Sequence, residues 1–186
     1  MLRLKESAGQ IAEAEKVDPL SPMVPWFRSV VLHLEGREDE AERDIRKAVA
    51  DAPEEPSARS LLGLIVCELG RREEGIAELR HAMDIAHSSW INSMLGWAYG
   101  QAGHEAEARS ILAELQREVE RGAASPTQVA NVYSGLGDAD NAFKWLDRAV
   151  AVHDPGLVRL KMATTLSAIK KDPRFKTYLA RVGLPQ

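Results

Sequence analysis

The sequence is poor in the residues that most often carry chemistry. It has a single cysteine, Cys67, so no intrachain disulfide and no CxxC metal or redox pair can form. A lone thiol fits a reducing, cytoplasmic compartment, with the extracytoplasmic part of a membrane-anchored protein as the alternative. Aromatic residues make up only 5% of the 186 positions, which makes the placement of each one informative. There is no basic excess: a formal net charge of -4 argues against a general nucleic-acid binder, which normally shows a basic face. Long hydrophobic runs are missing too. The longest apolar stretch, Leu61–Cys67 with one glycine inside it, is too short to span a bilayer, and Glu68 ends it. Met1-Leu2-Arg3-Leu4-Lys5-Glu6 has no apolar core behind it, which reads against a signal peptide.

Catalytic patterns are also wanting. No G-x-S-x-G, H-E-x-x-H or G-x-x-x-x-G-K occurs. The five histidines, His33, His81, His87, His104 and His153, never pair at i, i+3 or i+4, so no helix-borne metal site is indicated. The acidic runs Glu38-Asp39-Glu40 and Glu73-Glu74 follow turns, where they favour a helix N-terminus and need no acid–base role. Neither enzymatic activity nor a cofactor or metal is expected.

What is present is a period. Gly36, Gly70, Gly103 and Gly137 recur every 33 or 34 residues. Five residues after each comes a small one: Ala41, Gly75, Ala108, Ala142. Nine residues on stand Ile45, Leu79, Leu112 and Leu146, and twelve on stand Ala48, Ala82, Leu115 and Ala149. Helix-on-helix contact requires such columns. Glycine supplies the positive φ that ends a first helix, small residues let two antiparallel helices approach, and a large one fills the gap to the next pair. One pair cannot bury its apolar stripe alone, so pairs stack.

Leu95-Gly96-Trp97-Ala98-Tyr99, followed by Gly103 and Glu107-Ala108, resembles the tetratricopeptide repeat (TPR) signature. The other units carry parts of it: Leu62-Gly63 with Gly70; Gly36 with Glu40-Ala41 and Pro53; Tyr133 with Gly137 and Ala142. The family's tryptophan position holds Pro25, Arg59, Asn92 and Pro126 instead. The resemblance implies an all-α, right-handed αα-superhelix of about four and a half hairpins plus C-terminal capping helices. As a single solenoid domain over 1–186 it would have a half repeat over 1–20, repeats over 22–55, 56–88, 89–122 and 123–155, and caps over 156–186. Within the caps a helix is expected near 157–170, and a short one after Asp172 with Pro173 at its first position. Ser125 is the expected N-cap of the fourth hairpin.

The last third, with Ser125-Pro126, Leu136-Gly137-Asp138, Ala142-Phe143-Lys144-Trp145-Leu146, Asp172-Pro173-Arg174-Phe175 and Gly183-Leu184-Pro185, resembles the TPR arrays of bacterial signalling proteins. In those, an array accompanies a winged-helix, nucleotide-cyclase or kinase effector. A chain opening in mid-repeat reads as a fragment or reduced descendant of such an array. It would leave an open apolar edge around Leu4, Ala8 and Ile11.

The family resemblance also implies a concave wall made by the first helices. Its candidate ligand contacts are Trp26, Phe27, Val30, Leu61, Leu64, Trp90, Met94, Trp97 and Asn131. Such a wall would bind an apolar peptide or amphipathic helix of another protein. Tryptophan and methionine at helical spacing are also what a core needs, and the segment near 157–170 is placed to close part of the groove. Basic clamps for a peptide C-terminus would need basic and asparagine residues on that face, and only Asn131 qualifies. The competing use of the apolar surface is homo-oligomerisation; neither nucleic acid nor membrane insertion is expected.

Overall fold

A computed structural model describes residues 4–18, 21, 23–160 and 163–183. Among these, regular structure is entirely helical. After α1 (Leu4–Val17) come four hairpins: α2 (Met23–Leu34) with α3 (Glu38–Asp51), α4 (Pro56–Glu68) with α5 (Arg72–Ile85), α6 (Ser89–Ala102) with α7 (Glu105–Glu120), and α8 (Pro126–Gly135) with α9 (Ala139–Ala151). Two 3-10 turns (Pro155–Arg159 and Thr164–Leu166), α10 (Ser167–Lys170) and α11 (Pro173–Arg181) complete the chain. The helices gather into two compact units, Met1–Ala86 and His87–Gln186.

The periodic glycines make the hairpins. Gly36, Gly70, Gly103 and Gly137 all have φ between 74° and 86°. The residue after each donates its N–H back to the first helix: Arg37 to Leu32, Arg71 to Val66, His104 to Tyr99 and Asp138 to Tyr133, at 2.9–3.1 Å. This Schellman closure satisfies the last carbonyls of the first helix and reverses the chain.

The columns behind each glycine become the core. Ala41, Ile45 and Ala48 of α3, Gly75, Leu79 and Ala82 of α5, Ala108, Leu112 and Leu115 of α7, and Ala142, Leu146 and Ala149 of α9 are all buried. In the first unit, those of α3 pack with Leu32, Ala58, Leu62, Ile65 and Val66. Each large aliphatic so buried contributes about 1.5–3 kcal/mol. Where the small column holds glycine, the reason is contact. A Cβ on Gly75 would lie 2.3 Å from Cys67 Sγ and 2.5 Å from the Gly63 carbonyl oxygen.

Two details differ from the sequence reading. The helix expected near 157–170 is broken into two 3-10 turns and the single turn of α10. Asp154 and Ala163 hold extended backbone, and Thr165 turns inward to donate to Asn131 Oδ1 at 3.0 Å. Of the proposed N-terminal stripe, Leu4 and Ala8 lie outside the described side chains. Ile11 is half-buried and lines the clefts between α1 and α2.

Candidate interaction face

In the first unit, α2 and α4 supply the candidate face. Trp26 and Leu61 are half-buried and pack down onto the core. Val30 and Leu64 are also half-buried. Phe27 stands out at 49% exposed, with its ring edge-on to Trp26 at 4.9 Å between centroids and 85° between planes. The Trp26 indole Nε1–H is buried without an acceptor among the described residues. An unmet buried donor is uncommon and calls for an explanation.

Beside this face, Arg28 joins three helices. Its guanidinium meets Asp44 of α3 at 2.6 Å and both carboxylate oxygens of Glu15 of α1 at 3.0 Å. These bonds, Asp44 foremost, hold the Arg28 pKa above its ordinary value, so the charge is permanent. Cys67 is buried, and desolvation pushes its thiol up to about 12, so it stays protonated at neutral pH and is no nucleophile. At the other end of α2, His33, Glu38 and Glu68 bring an imidazole and two carboxylates within 4.8 Å of one another.

In the second unit the sequence reading needs correcting. Trp90 is 40% exposed, but Met94 and Trp97 are each 3% exposed and Asn131 is 4% exposed. These three are interior and line no open groove. For Trp97 the cause is a backbone-to-backbone approach of α8 onto α6. A Cβ on Gly135 would sit 2.5 Å from the Trp97 carbonyl oxygen, and one on Gly100 would sit 2.6 Å from the Gly135 carbonyl carbon. For Asn131 the cause is the C-terminal segment. Leu160, Leu166 and Ile169, each 1% exposed, join the core that contains Ala130 of α8, and Thr165 takes the Asn131 side chain. Every residue of α8 except Tyr133 is buried.

The search of solved structures found helical-repeat proteins. The chain aligns with a TPR protein of Thermus thermophilus, TTC0263, at a TM-score of 0.68 and 18% identity, over 88% of this chain and 91% of that one. It aligns with PilW, a type IV pilus biogenesis factor, at 0.63 and 18%, over 96% and 84%. It also aligns with YrrB, a TPR protein described as having an unusual peptide-binding site, at 0.54 and 17%, over 86% and 82%. The fold is the tetratricopeptide-repeat fold. No protein-family profile and no curated protein sequence matches the chain.

Within the TPR hairpins, the substituted tryptophan positions find other partners. Arg59 Nη1 binds Glu78 at 2.9 Å, and Asn92 Nδ2 binds Glu114 at 3.3 Å, each reaching the second helix of its own hairpin. Pro25 and Pro126 are buried, the latter in the first turn of α8 behind its N-cap, Ser125. Gln128 Oε1 accepts the Ser125 N–H at 2.9 Å. Sequence reasoning missed Asp154. Its carboxylate accepts from the Thr127 N–H at 3.0 Å, the Gly156 N–H at 2.7 Å and the Ser125 hydroxyl. A carboxylate that caps a helix begun so much earlier in the chain leaves no local pattern.

Proposed function

We propose that this TPR chain is a protein–protein interaction scaffold that takes an apolar peptide or amphipathic helix on the α2–α4 face of its first unit. Trp26, Phe27, Val30, Leu61 and Leu64 are its anchors. The observation that carries the reading is Phe27, half exposed and set edge-on against Trp26. A ligand there would gain aromatic area at low entropic cost. The peptide-binding description of YrrB and the HypK-bound Naa15/Naa10 complex among the structural neighbours agree with it. Trp90 gives the second unit a separate exposed aromatic of its own.

The test is selection of peptides from a display library on the immobilised protein. Peptides with spaced apolar residues are expected, and Phe27→Ala should weaken their binding at least tenfold, since a central aromatic anchor is worth about 2 kcal/mol. Failure to enrich any peptide, or affinity indifferent to Phe27, refutes the face.

The same residues favour a competing use, self-association. Val17 is 87% exposed and Met23 48%, and both line an apolar cleft with Phe27. A dimer that survives dilution in light scattering would establish it. The resemblance of the last third to bacterial signalling arrays supports a place beside a winged-helix, cyclase or kinase effector. A cytoplasmic setting fits the reduced, buried Cys67. Among the described residues no helix is long and apolar enough to cross a membrane.

A further inference from the structure

Three helix ends of the first unit meet at one point. His33 lies in the last turn of α2, Glu38 opens α3 and Glu68 closes α4. One ligand atom from each, an imidazole nitrogen and two carboxylate oxygens, lies within 4.8 Å of the others, and His33 Nδ1 is 2.8 Å from Glu38 Oε2. The imidazole is 6% exposed, Glu38 is half-buried and Glu68 is exposed, so the cluster has a fixed, desolvated nitrogen and one side open to solvent.

We propose that His33, Glu38 and Glu68 form a site for a borderline divalent metal ion, with Zn2+ the best fit and water in the fourth position. Charge is the first argument. Two carboxylates face one imidazole, and the C-terminal ends of α2 and α4 add partial negative charge that exceeds the partial positive charge of the single N-terminal end of α3. Of the nearby arginines, Arg37 pairs with Glu35 and Glu40, and Arg71 with Glu42 and Glu74. A dication answers that field.

Donor type is the second argument. One nitrogen and two carboxylate oxygens suit zinc with an open position, whereas Mg2+ and Ca2+ favour oxygen alone. Zinc bonds to N and O ligands of about 2.0–2.2 Å set tetrahedral ligand atoms roughly 3.3–3.6 Å apart, so the His33–Glu38 pair at 2.8 Å opens slightly while Glu68 closes in from within 4.8 Å. The solvent-facing Glu68 can make that move by changing rotamer. A bound ion would tie the ends of both hairpins of the first unit together, and binding would release any proton held on His33.

The experiment is titration calorimetry of ZnCl2 into the tag-free, chelator-stripped full chain, with MgCl2 and CaCl2 as comparisons and thermal unfolding alongside. One Zn2+ per chain is expected, with no heat from Mg2+ or Ca2+. Tm should rise by about 5 °C or more at a hundredfold excess over Kd. Glu68→Gln changes an exposed side chain and keeps the fold, so its circular dichroism should match wild type while Zn2+ affinity falls at least tenfold. Glu38→Gln should behave alike, and His33→Gln should abolish binding. Absence of zinc binding by the wild type overturns the site. Binding unaltered in Glu68→Gln overturns it equally, because the ion would then sit on other histidines. Neither outcome bears on the peptide face.

Discussion

At the scale of single residues, backbone conformation explains more than side-chain identity does. Helix α9 ends as the first helix of each hairpin does, with the Asp154 N–H bonded to the Ala149 carbonyl at 2.9 Å, yet the left-handed position is held by His153 at φ 53°. A Cβ in that region costs about 1–2 kcal/mol, of which glycine gives back part through unfolded-state entropy. His153→Gly should therefore stabilise the protein by about 0.5–1 kcal/mol, read as a higher urea midpoint at unchanged m-value. A lower midpoint would show that the imidazole makes compensating contacts. The tryptophans show the opposite limit of inference. Trp26 and Trp97 both stand on first helices of the repeat pattern, but the first is half-buried and the second is interior. Nothing local to either residue distinguishes them.

At the scale of elements, the small-residue columns decide how closely helices approach. Gly100 and Gly135 bring α6 and α8 into backbone contact, and Gly63 and Gly75 do the same for α4 and α5. Alanine at Gly135 would place a methyl group 2.5 Å from the Trp97 carbonyl oxygen, a rigid neighbour that cannot rotate away. Gly135→Ala should destabilise by about 1–3 kcal/mol, the usual cost of overpacking, although alanine is the better helix former. Chemical denaturation measures this directly, and a neutral result would mean that α6 and α8 slide apart freely. The four hairpins were legible in the sequence because one structural contact imposes the same residue type at every turn of the period. The C-terminal cap was legible only at its end, where Asp172 accepts the Arg174 N–H at 2.9 Å behind Pro173. Its first half follows the shape of α8, and no periodic contact writes that shape into its sequence.

At the scale of the whole molecule, ion pairs between successive second helices run through each unit. In the first, Glu42 reaches both Arg46 and Arg71, and Arg46 also meets Glu74. In the second, Glu120 binds Arg148 at 2.7 Å, Asp140 binds Arg174 at 2.7 Å and Asp147 binds Arg181. The Arg71 guanidinium, before that of Arg46, holds the Glu42 carboxyl below its ordinary 4.5; Arg148 does the same for Glu120, and Arg174 holds Asp172 below 3.8. A carboxylate with a depressed folded-state pKa leaves the unfolded chain binding more protons as pH falls. This stability is complete above about pH 5 and is lost as pH drops through the lowered folded values. The pairs are largely exposed and screened, so the acid loss should be shallower in about 1 M salt than at low ionic strength. Urea unfolding from neutral pH down to about pH 3, at two salt concentrations, checks both statements.

The sequence by itself determined the all-α class, the turn glycines and the buried columns. Each of these is repeated, and repetition turns a weak local preference into a readable period. Only the tertiary structure decided which apolar side chains face outward. Phe27 stays exposed because none of the described residues packs over that part of α2, whereas Asn131 is covered by a segment from much later in the chain. It also decided that His33, Glu38 and Glu68 meet, because helix ends separated in sequence converge only once the hairpins have packed. Burial and convergence depend on what arrives from elsewhere in the chain, and a residue's own neighbours in sequence carry no record of that.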